Sequence, residues 1–284
     1  MPFLRVGNSK TFLTVHGGYS FMPNLVNGYI KRIASYLTKK MYEKVDGVVS
    51  VSHYTKNYLL KEAQGLRINL ANNIKVITNG VDLDRFNGGH LIDKFPEKVK
   101  RILHVGIVKP RKGILCAIDG LKYYHDSFSP DFVYYVVGNY NQNDESYRAI
   151  LQKIKDYKLE DKVIFKGKVS NDELIGYYNK ADLFLMLPIK DGKKFEGFGL
   201  VYLEANAMGI PCIGSKDCGA EEAILDGKTG YLVNPHNAKE VAEKMNLILN
   251  KNAIKPEECI SWAEKNDIKI KARELLDFYM ELLA

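Results

Sequence analysis

The sequence predicts an α/β fold made of two parallel-sheet units that face each other across a cleft. Two observations carry this. Short apolar runs alternate with amphipathic segments almost from end to end, which implies parallel sheets covered by helices on both faces. The alternation breaks once, at the polar, Gly-containing stretch from Asn87-Gly88-Gly89 to Pro96, which reads as an interdomain linker.

The first set begins with a strand over Thr11 to Val15. A helix over Leu25 to Val45 follows, with apolar residues at Val26, Tyr29, Ile30, Ile33, Leu37 and Met41. It also carries Lys31, Arg32, Lys39, Lys40 and Lys44. Such a helix is expected to be a core helix with a charged outer face; the alternative is an interfacial helix on an anionic membrane. Gly47 to Val51 is a strand, His53 to Ala63 a helix capped by Ser52, and Ile74 to Ile77 a third strand. The second set has strands at Arg101 to Val105, Phe132 to Val137, Val163 to Lys166, Leu183 to Leu187, Pro211 to Gly214 and Gly230 to Val233. Helices are predicted over Gly113 to His125, Ser146 to Tyr157, Asn171 to Asn179, Leu200 to Met208 and, briefly, Ala220 to Leu225. The remainder is mostly helical, and the final helix, Ile268 to Leu283, is expected to return to the first unit through Leu275, Leu276, Phe278, Tyr279 and Leu282. The boundaries are residues 1–94 for a short first domain, 95–262 for a second, and 263–284 for the returning helix.

Composition narrows the function. The 284 residues are 46% hydrophobic and 26% charged, as in an ordinary globular protein. A net charge of +7 favours phosphates or other polyanions. The charge is spread along the chain and no RNP signature, zinc finger or basic zipper accompanies it, so nucleic acid is not an expected partner. Cys116, Cys212, Cys218 and Cys259 form no C-x-x-C pair and have no His at metal spacing, so they read as buried thiols in a reducing compartment. No secretory signal or run of about 18–20 apolar residues is evident. The expectation is a cytoplasmic protein, with peripheral contact at the inner membrane face as its variant.

The strongest chemical signal is Glu196-Gly197-Phe198-Gly199-Leu200-Val201-Tyr202-Leu203-Glu204-Ala205. It joins a buried strand to a helix. Gly197 and Gly199 let backbone amides approach a ligand, and the helix start presents free N–H groups and a positive dipole end to an anion. A diphosphate suits that geometry. Glu196 at the mouth can accept hydrogen bonds from sugar hydroxyls, and Glu204 from both hydroxyls of a ribose. The bland reading makes Glu196 an N-cap acid and Glu204 a solvated charge. Two acids flanking a double-Gly turn argue against it.

This stretch resembles the E-x7-E signature of retaining glycosyltransferases of the GT-B fold, specifically the large glycosyltransferase family 4. Further matches fall in family order: Thr14-Val15-His16-Gly17-Gly18, Asp46 through Ser52, Val76-Ile77-Thr78-Asn79-Gly80-Val81-Asp82 with Phe86, and Val105-Gly106 with Lys112-Gly113. Val136-Val137-Gly138, Ala181-Asp182-Leu183-Phe184, Gly209 through Ile213 and Asp226 through Val233 complete the pattern. The resemblance implies a GT-B-like architecture of two Rossmann-like domains and an NDP-sugar co-substrate, UDP- or GDP-linked, with no bound metal or other cofactor. It implies that Glu196 contacts the donor sugar, Glu204 binds the ribose, and Lys112 neutralises the diphosphate. Amides of Phe198, Gly199 and Leu200 would complete the phosphate site beside Gly106, Gly138 and Gly197. Lys168 and Val169 would pass near the base, and His16 would reach the reaction centre. Transfer would retain anomeric configuration, to a glycan, lipid-linked or protein acceptor.

Three departures matter. Ile107 stands where family members usually carry an Arg, so Lys109 or Arg111 must substitute, and the two cations do not bind a diphosphate equivalently. Ile189-Lys190-Asp191-Gly192-Lys193-Lys194 replaces a short turn before Glu196; it reads as a solvated loop tip or as a basic reach toward the donor. The resemblance begins at about the fourth strand of the family's first domain, so the expected first domain is short. A reduced enzyme, a homo-oligomer or partner subunit, and a relic that only binds nucleotide sugars are the explanations. The leading rival function is accordingly a catalytically weak nucleotide-sugar-binding subunit. An epimerase or phosphorylase on the same fold is a further rival, although no lysine in a recognisable pyridoxal phosphate setting supports the phosphorylase.

Overall fold

The structure is a computed structural model and describes residues 9–18, 23, 26–70, 74–86 and 99–283. The linker at 87–96 and the boundary at 94/95 lie outside the described residues. Two parallel sheets form, as the alternation predicts. The first has three strands in the order β1 (Phe12–Val15), β2 (Gly47–Ser50), β3 (Ile74–Val76). The second has six, β4 (Lys100–Val105), β5 (Phe132–Val137), β6 (Val163–Gly167), β7 (Leu183–Leu185), β8 (Cys212–Ser215) and β9 (Gly230–Val233), in the order β6-β5-β4-β7-β8-β9. Strand order reverses direction between β4 and β7, and ligands of open α/β sheets bind beyond the strand ends at such a point.

Alternation of side chains explains the layers. In β2, Val48 packs with Val15, Tyr42, Leu59 and Ala63 on one face, while Val49 packs with Ile77 and Phe278 on the other. The first face is covered by α1 (Gly28–Tyr42) and α2 (His53–Gly65), the second by α9 (Ile268–Leu283). In the second sheet, Ile102, Tyr134, Leu183 and Ile213 join one core with α3 (Ile114–Ser127), α4 (Glu145–Asp156) and α7 (Ala238–Leu249). Leu103, Val137, Phe184 and Cys212 join the other with α5 (Asn171–Lys180), α6 (Leu200–Ala207) and α8 (Pro256–Lys265). All four cysteines are buried and outside any disulfide, as their spacing suggested.

The chain returns to the first sheet through a two-bond clasp. Val81 N–H donates to Asn266 O at 2.9 Å, and Ile268 N–H donates to Val81 O at 2.9 Å. The cut after residue 262 falls inside α8, and the returning helix itself starts at Ile268. Phe278, Tyr279, Leu275 and Leu282 then pack against Phe12, Val49 and Ile77. Leu276 does not join them. It is exposed, because it lies about 200° around the helix from Phe278 at 3.6 residues per turn.

The larger correction concerns α1. Its buried residues are Ala34, Thr38 and Tyr42, so a narrow stripe of small and polar residues, with one aromatic, faces the sheet. Tyr29 is 75% and Ile30 62% exposed, and Ile33 and Tyr36 also face outward. The expected core helix is therefore turned with much of its apolar surface to solvent. The short helix expected over Ala220–Leu225 is a 3-10 turn at Gly219–Glu222. No helix among the described residues is long and apolar enough to cross a membrane.

Candidate active site

The donor loop forms where β7 gives way to α6. Gly199 takes the left-handed φ of 84° that turns the chain into the helix, a conformation glycine adopts without steric cost. Gly197 is needed for space: a Cβ there would lie 2.0 Å from His16 O. His16 follows β1, so this approach presses the first domain's strand end onto the loop. The N–H groups opening α6, from Leu200 onward, have no intrahelical acceptors by helix geometry, and they carry the dipole's positive end. Phe198 itself is buried in the core behind the loop; its amide, not its ring, belongs to the site.

The loop's carbonyls are held from two sides. Ser52 Oγ donates to Gly197 O at 2.6 Å and Thr55 Oγ1 donates to the same oxygen at 3.1 Å. Gly219 N–H donates to Glu196 O at 2.9 Å. Ser52 also caps α2 by accepting from Thr55 N–H at 2.9 Å, so one hydroxyl serves the helix start and the domain contact. Beside it, His53 donates its backbone N–H to Glu222, and the His53 ring Nδ1 lies 2.8 Å from Glu222 Oε2. The basic insertion belongs to this clamp. Lys193 pairs with Glu62 of α2 at 3.4 Å, and Phe195 packs on Tyr54 and Tyr58 with ring centroids 5.1 and 4.7 Å away. Residues 190–194 are exposed, as the solvated-tip reading expects, and Lys193 is directed to Glu62.

Glu196 and Lys112 meet. Lys112 Nζ donates to Glu196 Oε2 at 2.5 Å, and Arg111 Nη1 reaches the same oxygen at 3.3 Å. Lys112 is only 8% exposed, so the solvated-lysine reading fails. It ends the 3-10 turn Pro110–Lys112, and Gly113 caps the start of α3 immediately after. Of the two candidate replacements at the Ile107 position, Arg111 joins the site. Lys109 is drawn to Asp144 at 2.5 Å, and Ile107 is partly exposed.

Beneath this pair lie the ends of three neighbouring strands. Gly106 N–H donates to Val137 O and Gly138 N–H to Gly167 O, each at 2.9 Å. Lys168 is exposed and Val169 half-buried just beyond. His104, on β4 below Gly106, is fully buried and was missed in the sequence. Its Nδ1 lies 3.2 Å from Tyr134 Oη, whose hydroxyl donates to Leu185 O at 3.3 Å. Among the described residues, its Nε2 has no hydrogen-bond partner. Burial, followed by the nearby Lys112 charge, pushes the His104 pKa down to about 3, so the ring is neutral at physiological pH.

Glu204 lies on α6 itself, about one turn past its start, and is held, not solvated. Tyr178 Oη donates to Glu204 Oε2 at 2.8 Å, and Arg85 Nη1 lies 3.7 Å from Glu204 Oε1. Burial and the Glu204 charge raise the Tyr178 hydroxyl well above its ordinary value, so it stays a donor. A carboxylate offers about four acceptor sites, which leaves Glu204 capacity for further hydroxyls. Arg85 and Tyr178 carried no local sequence signal, since their contacts span the interdomain segment and two helices. Among the described residues, no group of three or more His, Cys, Asp or Glu side chains is arranged to hold a metal ion.

Family models match on both sides of the linker. Residues 92–266 match the glycosyl transferases group 1 model, over half of the chain, and residues 2–85 match glycosyltransferase family 4. The chain belongs to the glycosyl transferases group 1 family. Within the GT-B fold of that family, it is 27% identical over 259 residues to the GDP-mannose-dependent alpha-(1-6)-phosphatidylinositol monomannoside mannosyltransferase of Mycobacterium tuberculosis, covering 86% of this chain and 61% of that one. The glycosyltransferase of Rickettsia africae ESF-5 superposes with a TM-score of 0.76 at 25% identity, covering 97% of this chain and 71% of that one. Anabaena Alr3699/HepE, solved with UDP and glucose, gives 0.76 at 18% identity, covering 95% and 71%. The chain spans 65% and 61% of the length of two curated relatives it matches.

Proposed function

We propose that this protein transfers a sugar from an NDP-sugar to a hydroxyl of a glycan, lipid-linked or protein acceptor, with retention of configuration and without a metal. The observation that carries the reading is the Lys112–Glu196–Arg111 cluster at the start of α6. A cation pair beside free helix amides is a site for the donor's diphosphate. On donor entry, Lys112 and Arg111 exchange the Glu196 carboxylate for phosphate oxygens. Glu196 is thereby released to accept hydrogen bonds from the sugar. As the sugar–phosphate bond breaks, negative charge builds on the leaving nucleotide, and preorganised cations and amides stabilise that charge more than the ground state. The acceptor hydroxyl attacks from the same face and gives its proton to the departing phosphate oxygen. His16, adjoining Gly197, serves the reaction centre; Glu204 binds the ribose; Lys168 and Val169 flank the base. Relatives and structural neighbours named for GDP-mannose and for UDP with glucose support a nucleotide-sugar donor of either base.

The test is a panel of NDP-sugars incubated with the purified protein and candidate acceptors, with and without EDTA, reading nucleotide release. Release that is insensitive to EDTA and lost in Glu196→Gln is expected. Release abolished by EDTA would refute the metal-free part, and release unchanged in Glu196→Gln would refute the site.

A second reading is favoured by one feature. Among the described residues β1 is an edge strand, and the outward face of α1 beside it is apolar. Such an edge is a template for another strand. In this reading the chain binds donor but turns over only when a partner polypeptide, or a second copy, extends the first sheet. Binding without release by the isolated chain would support it. Flotation of the chain with anionic vesicles would instead assign the α1 face to a membrane.

A further inference from the structure

His104 is a polar side chain in an apolar layer. Alternation along β4 puts it on the same face as Ile102, whose core also contains Ile114, Tyr134 and Leu185. A histidine buried there carries a desolvation cost that a hydrocarbon ring would not. β4 pairs with β5 on one side and β7 on the other, and groups from both neighbours hold the ring. Its Nδ1 is 3.2 Å from Tyr134 Oη on β5, and the Tyr134 hydroxyl donates to Leu185 O on β7 at 3.3 Å.

These bonds fix where the ring hydrogen sits. A phenol has one O–H to give, and burial keeps Tyr134 protonated by raising its hydroxyl. That hydrogen goes to Leu185 O, so the hydrogen between Tyr134 and His104 belongs to Nδ1. Nε2 keeps a bare lone pair, and among the described residues nothing donates to it. The space beside it belongs to the donor site. Beyond the adjoining residues, a Cβ built on Gly106 would find His104 Nε2 and Lys112 Cε nearest, both at 3.6 Å, with Lys112 Cδ at 3.8 Å. The ring nitrogen and the lysine stem thus border one small space at the end of β4. The Lys112 ammonium itself is turned to Glu196. It has three N–H donors, and rotation about its last carbon–carbon bond swings them without moving the stem.

Building on the reading of this site as a diphosphate site, we propose that His104 is a positioning residue for Lys112: its Nε2 accepts a hydrogen bond from the Lys112 ammonium once a nucleotide diphosphate has drawn that ammonium off Glu196. The ammonium then has phosphate on one side and a fixed neutral acceptor on the other. A neutral acceptor suits this place better than a second carboxylate. It orients the cation without cancelling the charge offered to the leaving phosphate, and Tyr134 and Leu185 set its tautomer before the donor arrives. The lone pair that is unsatisfied in the free chain gains its partner in the bound one, which accounts for a buried acceptor that packing alone does not require.

The test joins NMR of the imidazole nitrogens, recorded on the full chain with UDP and then GDP, to the kinetics of nucleotide release from an NDP-sugar. The His104 resonances are those missing in His104→Gln. In the free chain they should show a protonated Nδ1 and a bare Nε2. At saturating nucleotide the Nε2 resonance should move in the direction of hydrogen-bond acceptance in wild type and stay in place in Lys112→Met. His104→Phe fills the space without a lone pair. It should lose about tenfold in kcat, as removal of a hydrogen bond to a charged group does, with the donor KM within about twofold of wild type. His104→Gln, whose side-chain oxygen can stand near the Nε2 position, should recover most of that loss. The urea midpoint of His104→Phe should not fall, because an unsatisfied acceptor leaves the core. An Nε2 resonance that bound nucleotide leaves unmoved, or moves equally in Lys112→Met, would overturn the proposal. So would wild-type kcat in His104→Phe, or a Gln variant no better than the Phe variant. If His104→Phe fails to fold, or wild type does not turn over, the NMR comparison decides. Wild type that binds neither UDP nor GDP would end the diphosphate reading and the role of His104 with it, a result distinct from bound nucleotide and a silent ring.

Discussion

Of the helices that flank the three-stranded first sheet, α1 and α9 both carry apolar residues at helical spacing. α9 turns one apolar edge to the sheet, where Phe278, Tyr279 and Leu282 cover Phe12, Val49 and Ile77 with the Phe12 and Tyr279 rings 4.2 Å apart, while Ile268, Ile270, Leu276, Met280 and Leu283 stay exposed. α1 turns no such edge to it. It meets the sheet through Ala34, Thr38 and Tyr42 and leaves Tyr29, Ile30, Ile33 and Tyr36 outside. The hydrophobic effect rewards removal of apolar area from water wherever a neighbour is available. Where none is present, the same pattern produces an exposed patch, which marks an interaction surface. Periodicity thus shows that a helix has an apolar side without showing what that side meets.

Substitutions sharpen the contrast. Phe278→Ala should destabilise the protein by about 3–5 kcal/mol, the usual cost of emptying a buried aromatic site, measured by urea unfolding of the first domain's signal. If the loss were under about 1 kcal/mol, α9 would not be the first sheet's cover. His104 gives the second domain a pH signature. Its folded pKa of about 3 lies below the ordinary value near 6.5, so the unfolded state takes up the proton first. Its contribution to stability is fully present above about pH 6.5 and is lost progressively as pH falls toward 3. Urea midpoints measured across that range should fall less steeply for His104→Gln than for wild type; parallel curves would remove His104 from the account. Ser52→Ala removes a helix cap and the bond to Gly197 O together, for about 1–2 kcal/mol, and should also loosen donor binding by freeing the loop. A stability loss with donor affinity intact would make Ser52 a cap only. The smallest effect is expected on α1, where Ile30→Ser and Ile33→Ser should stay within about 0.5 kcal/mol. A larger loss in the isolated chain would mean that α1 packs more extensively than its exposed face indicates.

Much of the fold was legible because its signals are local. Parallel strands buried on both faces read as continuous apolar runs, and Ser52 marks a helix start by its own side chain. The donor loop was legible because Gly197 and Gly199 are demanded by space and by φ. The pairing of Lys112 with Glu196 was not, since 84 residues separate them and only the sheet order makes them neighbours. For the same reason Arg85 on Glu204 and the clamp of Ser52, Thr55 and Lys193 across the domains left no trace in any single segment. His104 looked like an ordinary strand residue; its meaning lies in the orphaned Nε2 below Gly106.

The central claim is that the Lys112–Glu196 pair holds the place of a nucleotide diphosphate. Its most direct test is calorimetric titration of UDP-glucose and GDP-mannose into wild type, Lys112→Met and Glu196→Gln, followed by transfer rates with the donor that binds. The account predicts that Lys112→Met weakens donor binding and cuts turnover by about 10²–10³-fold, as loss of a transition-state charge partner does. Glu196→Gln should bind the nucleotide portion nearly as well yet transfer poorly. Wild-type affinity and turnover in Lys112→Met would contradict it.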